Sequence, residues 1–312
     1  MTIVVKNKML NLTEIIHQTT IEEFYCSTTL TEPKPKIIFS AINIFLSITA
    51  FVGNVLIIAV LPKVSSLHPP SKLLLGCLAS TDLCVGLVVQ PFYVNDLLST
   101  EHSKHCYYST LLFNTTSPFF CGVYLMTLTA ISVDRLLALK LRIRYKQVVT
   151  LRKVWVLVVI IWLSNTATAV IVLYIPYSSA IFPIEVILCI IASSSCYMKI
   201  YRILRHQQAQ VQQHVHQGQQ NGGETPLNIA RYRKTVSSAL WVQMTLLACY
   251  LPFGVVMAIL VIYKPALILA LHAKLTLLFL NSTLKPFLYC WKMKEVKHAV
   301  MNTIRKLNCF SC

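Results

Sequence analysis

Asp82, Asp134, Arg135, Glu185 and Lys285 stand within long apolar stretches of the chain. Charge at such depth is costly, so each of these residues marks a switch, a pathway or a ligand anchor. Asp134 and Arg135 are adjacent at one end of their stretch, the arrangement of a switchable ion pair. The plainer reading of Arg135, taken by itself, is a basic side chain snorkelling to headgroups. Glu185 lies nearer the opposite end of its own stretch, and Asp96 close to that end of another. Charged sites in several different stretches imply a polar interior shared between them. No Ser/His or paired-Asp constellation occurs at this depth, so no enzyme is expected. His206, His214 and His216 sit in a glutamine-rich segment without a Cys or carboxylate cluster, so they read as solvated, and neither a metal nor a cofactor is expected.

The elements that must position these residues are long and apolar. Seven runs, at about 37–61, 73–97, 107–139, 153–175, 178–204, 236–263 and 267–290, each reach the roughly 20 residues that a membrane-spanning helix needs. They are too long for strands and too apolar all round for surface helices. The period-two alternation of a membrane barrel is missing. The expected fold is therefore an all-α membrane protein, a bundle of seven transmembrane helices over 37–290. Its one long connection, 206–230, is rich in Gln with Gly222, Gly223 and Pro226, and reads as a flexible loop. Residues 291–312 form a short amphipathic helix and tail, because Val296, Val300 and Ile304 recur at helical spacing between charges. Lys292, Lys294 and Lys297 suit anionic lipid headgroups there. Pro252 and Pro286 are expected bending points, and Pro91, Pro118 and Pro183 also fall within runs.

Composition agrees. The 312 residues are 55% hydrophobic and only 12% charged, with a formal net charge of +17. Twenty of the 28 Lys and Arg fall on alternate connections and the C-terminal tail. This bias is the positive-inside pattern, and it puts the N-terminal tail, 1–36, outside and the C-terminus in the cytoplasm of a plasma-membrane protein. The basic residues sit at membrane edges, not on one groove-like face, so nucleic acid is not an expected partner. Residues 1–36 hold no signal-peptide core, and the first span is expected to act as its own insertion signal. Asn11 begins an Asn-Leu-Thr glycosylation triplet in the outer tail. Cys309 and Cys312 end the basic inner tail and are candidate palmitoylation sites, with free thiols the plain alternative.

Motifs inside the runs make the picture more specific. Gly53-Asn54-Val55-Leu56, Leu78-Ala79-Ser80-Thr81-Asp82-Leu83, Ser132-Val133-Asp134-Arg135-Leu136, Trp162, Cys249-Tyr250-Leu251-Pro252 and Lys285-Pro286-Phe287-Leu288-Tyr289 follow one another in order, one per run. This series resembles the motif series of rhodopsin-family (class A) G-protein-coupled receptors. Within that family, the run from Thr129 to Tyr145 and the tail YCWKMKEVKHAV resemble invertebrate, cnidarian-like orphan receptors distantly similar to melanocortin and amine receptors. The resemblance implies an extracellular ligand, a heterotrimeric G protein and arrestin as partners. It implies a switch made of Asp134, Arg135, Tyr197 and Tyr289, and hinges at Tyr250, Pro252 and Pro286. It also implies a polar core of Asn54, Asp82, Tyr124, Asn281, Ser282 and Lys285, which in the family binds sodium.

The departures from the pattern are as informative. Lys285 stands where the family usually has Asn, so an Asp82–Lys285 ion pair is expected to replace the sodium site, crowded further by Tyr124 where a small serine is usual; the plain alternative is that Lys285 snorkels inward and leaves Asp82 to water. Tyr232 stands where some receptors have an acid that locks Arg135, so measurable basal signalling is expected. Tyr250 replaces the family's tryptophan, and Cys189 its fifth-helix proline. The segment Ile175-Pro176-Tyr177-Ser178 holds no cysteine, which leaves Cys26 as the candidate disulfide partner of Cys106. Ser117 occupies the position of the amine-binding aspartate and disfavours a standard monoamine. Asp96, Ser117, Cys121, Glu185 and Phe253 form the candidate ligand pocket, with Phe92 beside them, and the two carboxyls favour a cationic peptide or amine. For Asp96 a solvated helix end is an equal alternative. A retinal receptor would need a lysine where Phe279 stands. A non-signalling, ligand-scavenging seven-helix decoy is the main competing function. A transporter is less well supported, since no repeated halves are visible.

Overall fold

The computed structural model describes residues 33–65, 67–99, 104–141, 144–174, 181–216 and 268–310. Residues 1–32 of the expected N-terminal tail, the segment from Ile175 to Ser178 and the whole sixth run lie outside these residues, while 33–36 already belong to the first helix. Tyr232, Tyr250, Pro252 and Phe253, together with Asn11, Cys26 and Cys312, are therefore not placed. The backbone of Cys106 and Cys309 is helical, while their side chains are outside the description.

The described spans are all helical. They are α1 (Pro33–Val60), α2 (Pro69–Leu98), α3 (Lys104–Leu141), α4 (Leu151–Tyr174), α5 (Ile181–His216), α6 (Ile268–Lys292, the seventh apolar run) and α7 (Lys294–Phe310). Five of them, α1 to α5, contain stretches long and apolar enough to cross a membrane. The chain is a multi-pass membrane protein. α6 carries Lys274, Lys285 and Lys292, which explains its weaker apolar character. α3 packs against α2, α4 and α5, while α1 packs against α2 and α6. The outward faces hold Phe45, Ile48, Leu163, Ile187 and Leu188, all exposed, as a lipid-facing surface demands.

One expectation needs correcting. α5 continues to His216, so the first part of the stretch 206–230 is helical, not loop. The sequence explains it, because Gln and Ala are good helix formers and residues 206–217 hold no Gly or Pro. Only the remainder, from Gln217 onward, lies outside the described residues.

Prolines shape the packing through the carbonyls they free. Pro286 lacks an N–H, so the carbonyl of Ser282 one turn earlier has no helical donor. Asn54 of α1 supplies one, its Nδ2 donating to that carbonyl at 3.2 Å while also reaching the Ala50 carbonyl at 2.8 Å. Gly53 lets α1 come this close, since a Cβ there would stand 2.8 Å from the Pro286 ring. In α2 the backbone widens into a π turn at Val85–Val89, with the Gln90 N–H bonded to the Val85 carbonyl. In that register the next donor would be Pro91, which has none. The Ser47 hydroxyl of α1 fills the gap, donating to the Gly86 carbonyl at 2.6 Å. Both contacts follow the rule that freed backbone groups in a membrane must find partners within the bundle.

Candidate functional site

The polar residues expected inside the bundle are buried. Exposure is 0% for Asn54 and Lys285, 1% for Asp82, 4% for Tyr124, 2% for Asn281 and 6% for Ser282. Lys285 Nζ of α6 lies 2.6 and 2.5 Å from the two carboxylate oxygens of Asp82 in α2. The same ammonium sits 3.7 Å from the ring centroid of Tyr124 in α3. Asn281 Nδ2 donates to the Tyr124 hydroxyl at 3.1 Å and fixes that ring. An ion pair and a cation–π contact thus join α2, α3 and α6 at one point.

The inner end of α3 carries a second constellation. Asp134 is 4% exposed and accepts hydrogen bonds from Tyr145 at 2.6 Å and from Ser71 of α2 at 2.9 Å. Arg135 approaches the same carboxylate only to 3.6 Å and is more open than it. Tyr145 lies on a one-turn helix, Tyr145–Val148, in the connection between α3 and α4. Burial first, and its bond to Asp134 next, push its phenol up to about 12, so it stays a donor at any physiological pH. The ring of His68 packs on it with centroids 5.3 Å apart. Across the α3–α5 contact, Ser132 Oγ donates to the Tyr197 hydroxyl at 2.8 Å, and Thr129 and Ser193 share a bond at 3.1 Å. Tyr289 is buried and lines a small apolar cavity with Ile57, Leu67, Leu75 and Val296. The structure thus gathers Asp134, Arg135 and Tyr197 at one end. Ser71, Ser132 and Tyr145 were not singled out from the sequence. No spacing signal marks hydroxyl partners on other helices, although Ser132 opens the motif and Tyr145 ends the run from Thr129.

The outer half holds the candidate ligand residues. Asp96 accepts a hydrogen bond from Thr110 of α3, and Asn95 donates to Ser109 at 2.6 Å, so this end of α2 is tied to α3. Part of the Asp96 carboxyl is therefore committed to structure. Ser117 is half-buried, and Cys121 is buried within the main core cluster. Glu185 converges with Asn165 of α4 on Gly122 of α3. A Cβ at Gly122 would overlap Asn165 Oδ1 and stand 3.1 Å from Glu185 Oε1. Asn165 Nδ2 donates to the Ile161 carbonyl at 2.8 Å, which fixes the amide with its oxygen towards the glycine. Two acceptor oxygens thus meet at a notch, and Glu185 Oε1 has no donor among the described residues. Phe279 occupies the position that a retinal-binding lysine would need, and it packs on Tyr93 with centroids 5.4 Å apart. Trp162 of α4 donates through Nε1 to Cys77 of α2 at 3.5 Å, a packing role.

Comparison with known proteins agrees with this arrangement. The family described as 7 transmembrane receptor (rhodopsin family) matches residues 53–193. Adenosine receptor A3 of Ovis aries is 25% identical over 302 residues, covering 88% of this chain and 91% of the relative. Adenosine receptor A3 of Bos taurus is 24% identical over 289 residues, covering 84% and 88%. Trace amine-associated receptor 9 of Homo sapiens is 24% identical over 326 residues, covering 89% of each chain. The trace amine-associated receptor accords with the amine side of the finer likeness; the adenosine receptors were not foreseen from the residues. Motif order and helical architecture agree with this likeness: residues 53–193 match the rhodopsin-family seven-transmembrane receptor model, and the chain is similar over most of its length to membrane receptors.

Proposed function

We propose that this receptor transduces an extracellular ligand bearing a cationic group to a heterotrimeric G protein. The observation that carries the ligand class is the notch at Gly122, where Glu185 Oε1, which has no donor among the described residues, comes beside Asn165 Oδ1. A carboxylate and an amide oxygen at membrane depth need a donor with positive charge, and a protonated amine or a basic peptide side chain supplies it. Asp96 adds a second, partly committed carboxyl near the entrance. Ser117 provides no charge, so an amine would sit further towards α4 and α5 than an aspartate at that position would hold it.

The inner constellation supports the signalling half. Arg135 is loosely paired with Asp134, and Tyr197 is the candidate partner that turns towards it when the bundle rearranges. Arrestin and inner-leaflet lipids are the further partners we infer, the lipids through α7. In the organisation we infer, 1–36 is an outer tail, 37–290 the receptor domain and 291–312 the inner helix and tail, in the plasma membrane. Glycosylation at Asn11, a Cys26–Cys106 disulfide and palmitoylation at Cys309 and Cys312 belong to the same reading.

The test is a panel of protonated amines and basic peptides on expressing cells, read by second messengers, with adenosine as a competing ligand because two of the relatives are named for it. Glu185→Gln should abolish the response to a cationic agonist while leaving surface expression intact. Saturable binding without G-protein activation would instead establish the decoy reading. A response to adenosine alone, unaffected by Glu185→Gln, would replace the ligand class.

A further inference from the structure

The resemblance to the family implies a sodium ion beside the second-helix carboxylate, and the residues here do not fit one. Both oxygens of Asp82 already face Lys285 Nζ, at 2.6 and 2.5 Å. An ammonium has three N–H donors. Two are spent on the carboxylate, and the Tyr124 ring lies 3.7 Å away on a third side. The side chains of Lys285 and Asp82 are 0% and 1% exposed, so water does little to screen them. A soluble cation entering this space would find no free carboxylate oxygen and would meet a fixed positive charge at close range. The unpartnered acceptors nearby, Asn54 Oδ1 and Asn281 Oδ1, are neutral amide oxygens that cannot offset it.

We infer that the bundle carries its own cation: the Lys285 ammonium takes the place of a soluble sodium ion, and the polar core is insensitive to sodium. A sodium ion regulates by arriving and leaving. A tethered ammonium does neither, so α2, α3 and α6 are braced through Asp82, Tyr124 and Lys285 whatever the salt outside. This rests on the receptor reading only for the identity of the ion it replaces. Its test needs no ligand and no G protein.

The full-length receptor is purified into lipid nanodiscs, and thermal unfolding is followed by intrinsic tryptophan fluorescence. NaCl is compared with KCl and choline chloride at equal ionic strength. The wild-type Tm is expected to be the same in all three. Lys285→Asn, which frees the carboxylate, is expected to gain a sodium-selective rise of several degrees, as binding to the folded state alone requires. Adding Asp82→Asn to that variant should remove the rise. A sodium-selective rise in the wild type that Asp82→Asn abolishes would overturn the proposal. So would a Lys285→Asn receptor that folds yet stays indifferent to sodium, because the ammonium would then not be what excludes the ion. Should Lys285→Asn not fold, the wild-type comparison, with Asp82→Asn as its control, still decides.

Discussion

Lys285 shows what one residue can impose on its neighbours. Its charge is buried as deeply as any side chain in the chain, and it is tolerable there only because Asp82 neutralises it. Removing one partner leaves the other charged and unpaired in a low-dielectric interior. Lys285→Met is therefore expected to destabilise the fold by about 3–5 kcal/mol. The double variant Lys285→Met with Asp82→Leu should recover most of that loss, since replacing both charges with apolar groups removes the penalty on each. Thermal unfolding of purified protein measures both, and equal, additive losses would mean that the two side chains do not compensate each other. Asn54 works on the same logic at lower stakes. It is the donor for the Ser282 carbonyl that Pro286 leaves free, and Asn54→Leu is expected to cost about 1–3 kcal/mol through that orphaned carbonyl.

Between helices, close approach is set by what is missing. At Gly53 a Cβ would press to 2.8 Å on the Pro286 ring, which is tied to the helix backbone and cannot step aside. At Gly76 the nearest atom to a Cβ is the flexible Leu61 Cδ2, at 3.5 Å. The two positions predict opposite signs. Gly53→Ala should lower Tm, by about 1–3 kcal/mol of overpacking, whereas Gly76→Ala should be neutral or stabilising by up to about 1 kcal/mol from backbone entropy. Matched thermal melts of the two variants check the pair. The sequence made the helices themselves legible, because apolar length and charge bias depend on composition along one strand of chain. Asp82 and Lys285 were also legible as a pair, because opposite charges at membrane depth have few other solutions. The ties between helices were not. Ser47 to Gly86, Ser71 to Asp134 and Ser132 to Tyr197 are hydroxyls, and Ser and Thr within a span bond their own helix as readily as a neighbour. The helical reach of α5 past Arg205 was missed for a related reason, since a polar segment has no apolar period to reveal a helix.

At the scale of the whole receptor, the question is how firmly its resting arrangement is held. At its centre it is braced by charge, through Asp82 and Lys285. Among the described residues, the inner end is held by weaker means. Arg135 is 3.6 Å from Asp134, whose carboxylate is shared with the hydroxyls of Ser71 and Tyr145. We infer from the sequence that Tyr232, just before the sixth run, stands where some receptors have an acid that would add a second clamp. Among the described residues, the polar ties between α3 and α5 are the bond from Ser132 to Tyr197, the one between Thr129 and Ser193 and the one from Thr129 to the Cys189 carbonyl, each a neutral contact of about 1 kcal/mol. A difference of 1.4 kcal/mol changes a two-state population tenfold, so clamps of this size leave a measurable active fraction. Basal second-messenger output in expressing cells is expected to exceed that of empty-vector controls. Ser132→Ala, which releases Tyr197 without touching Arg135, should raise it several-fold at matched surface expression, and Arg135→Ala should bring it back to the control level. Basal output indistinguishable from empty vector in both the native receptor and Ser132→Ala would mean that the inner end is held by contacts stronger than these.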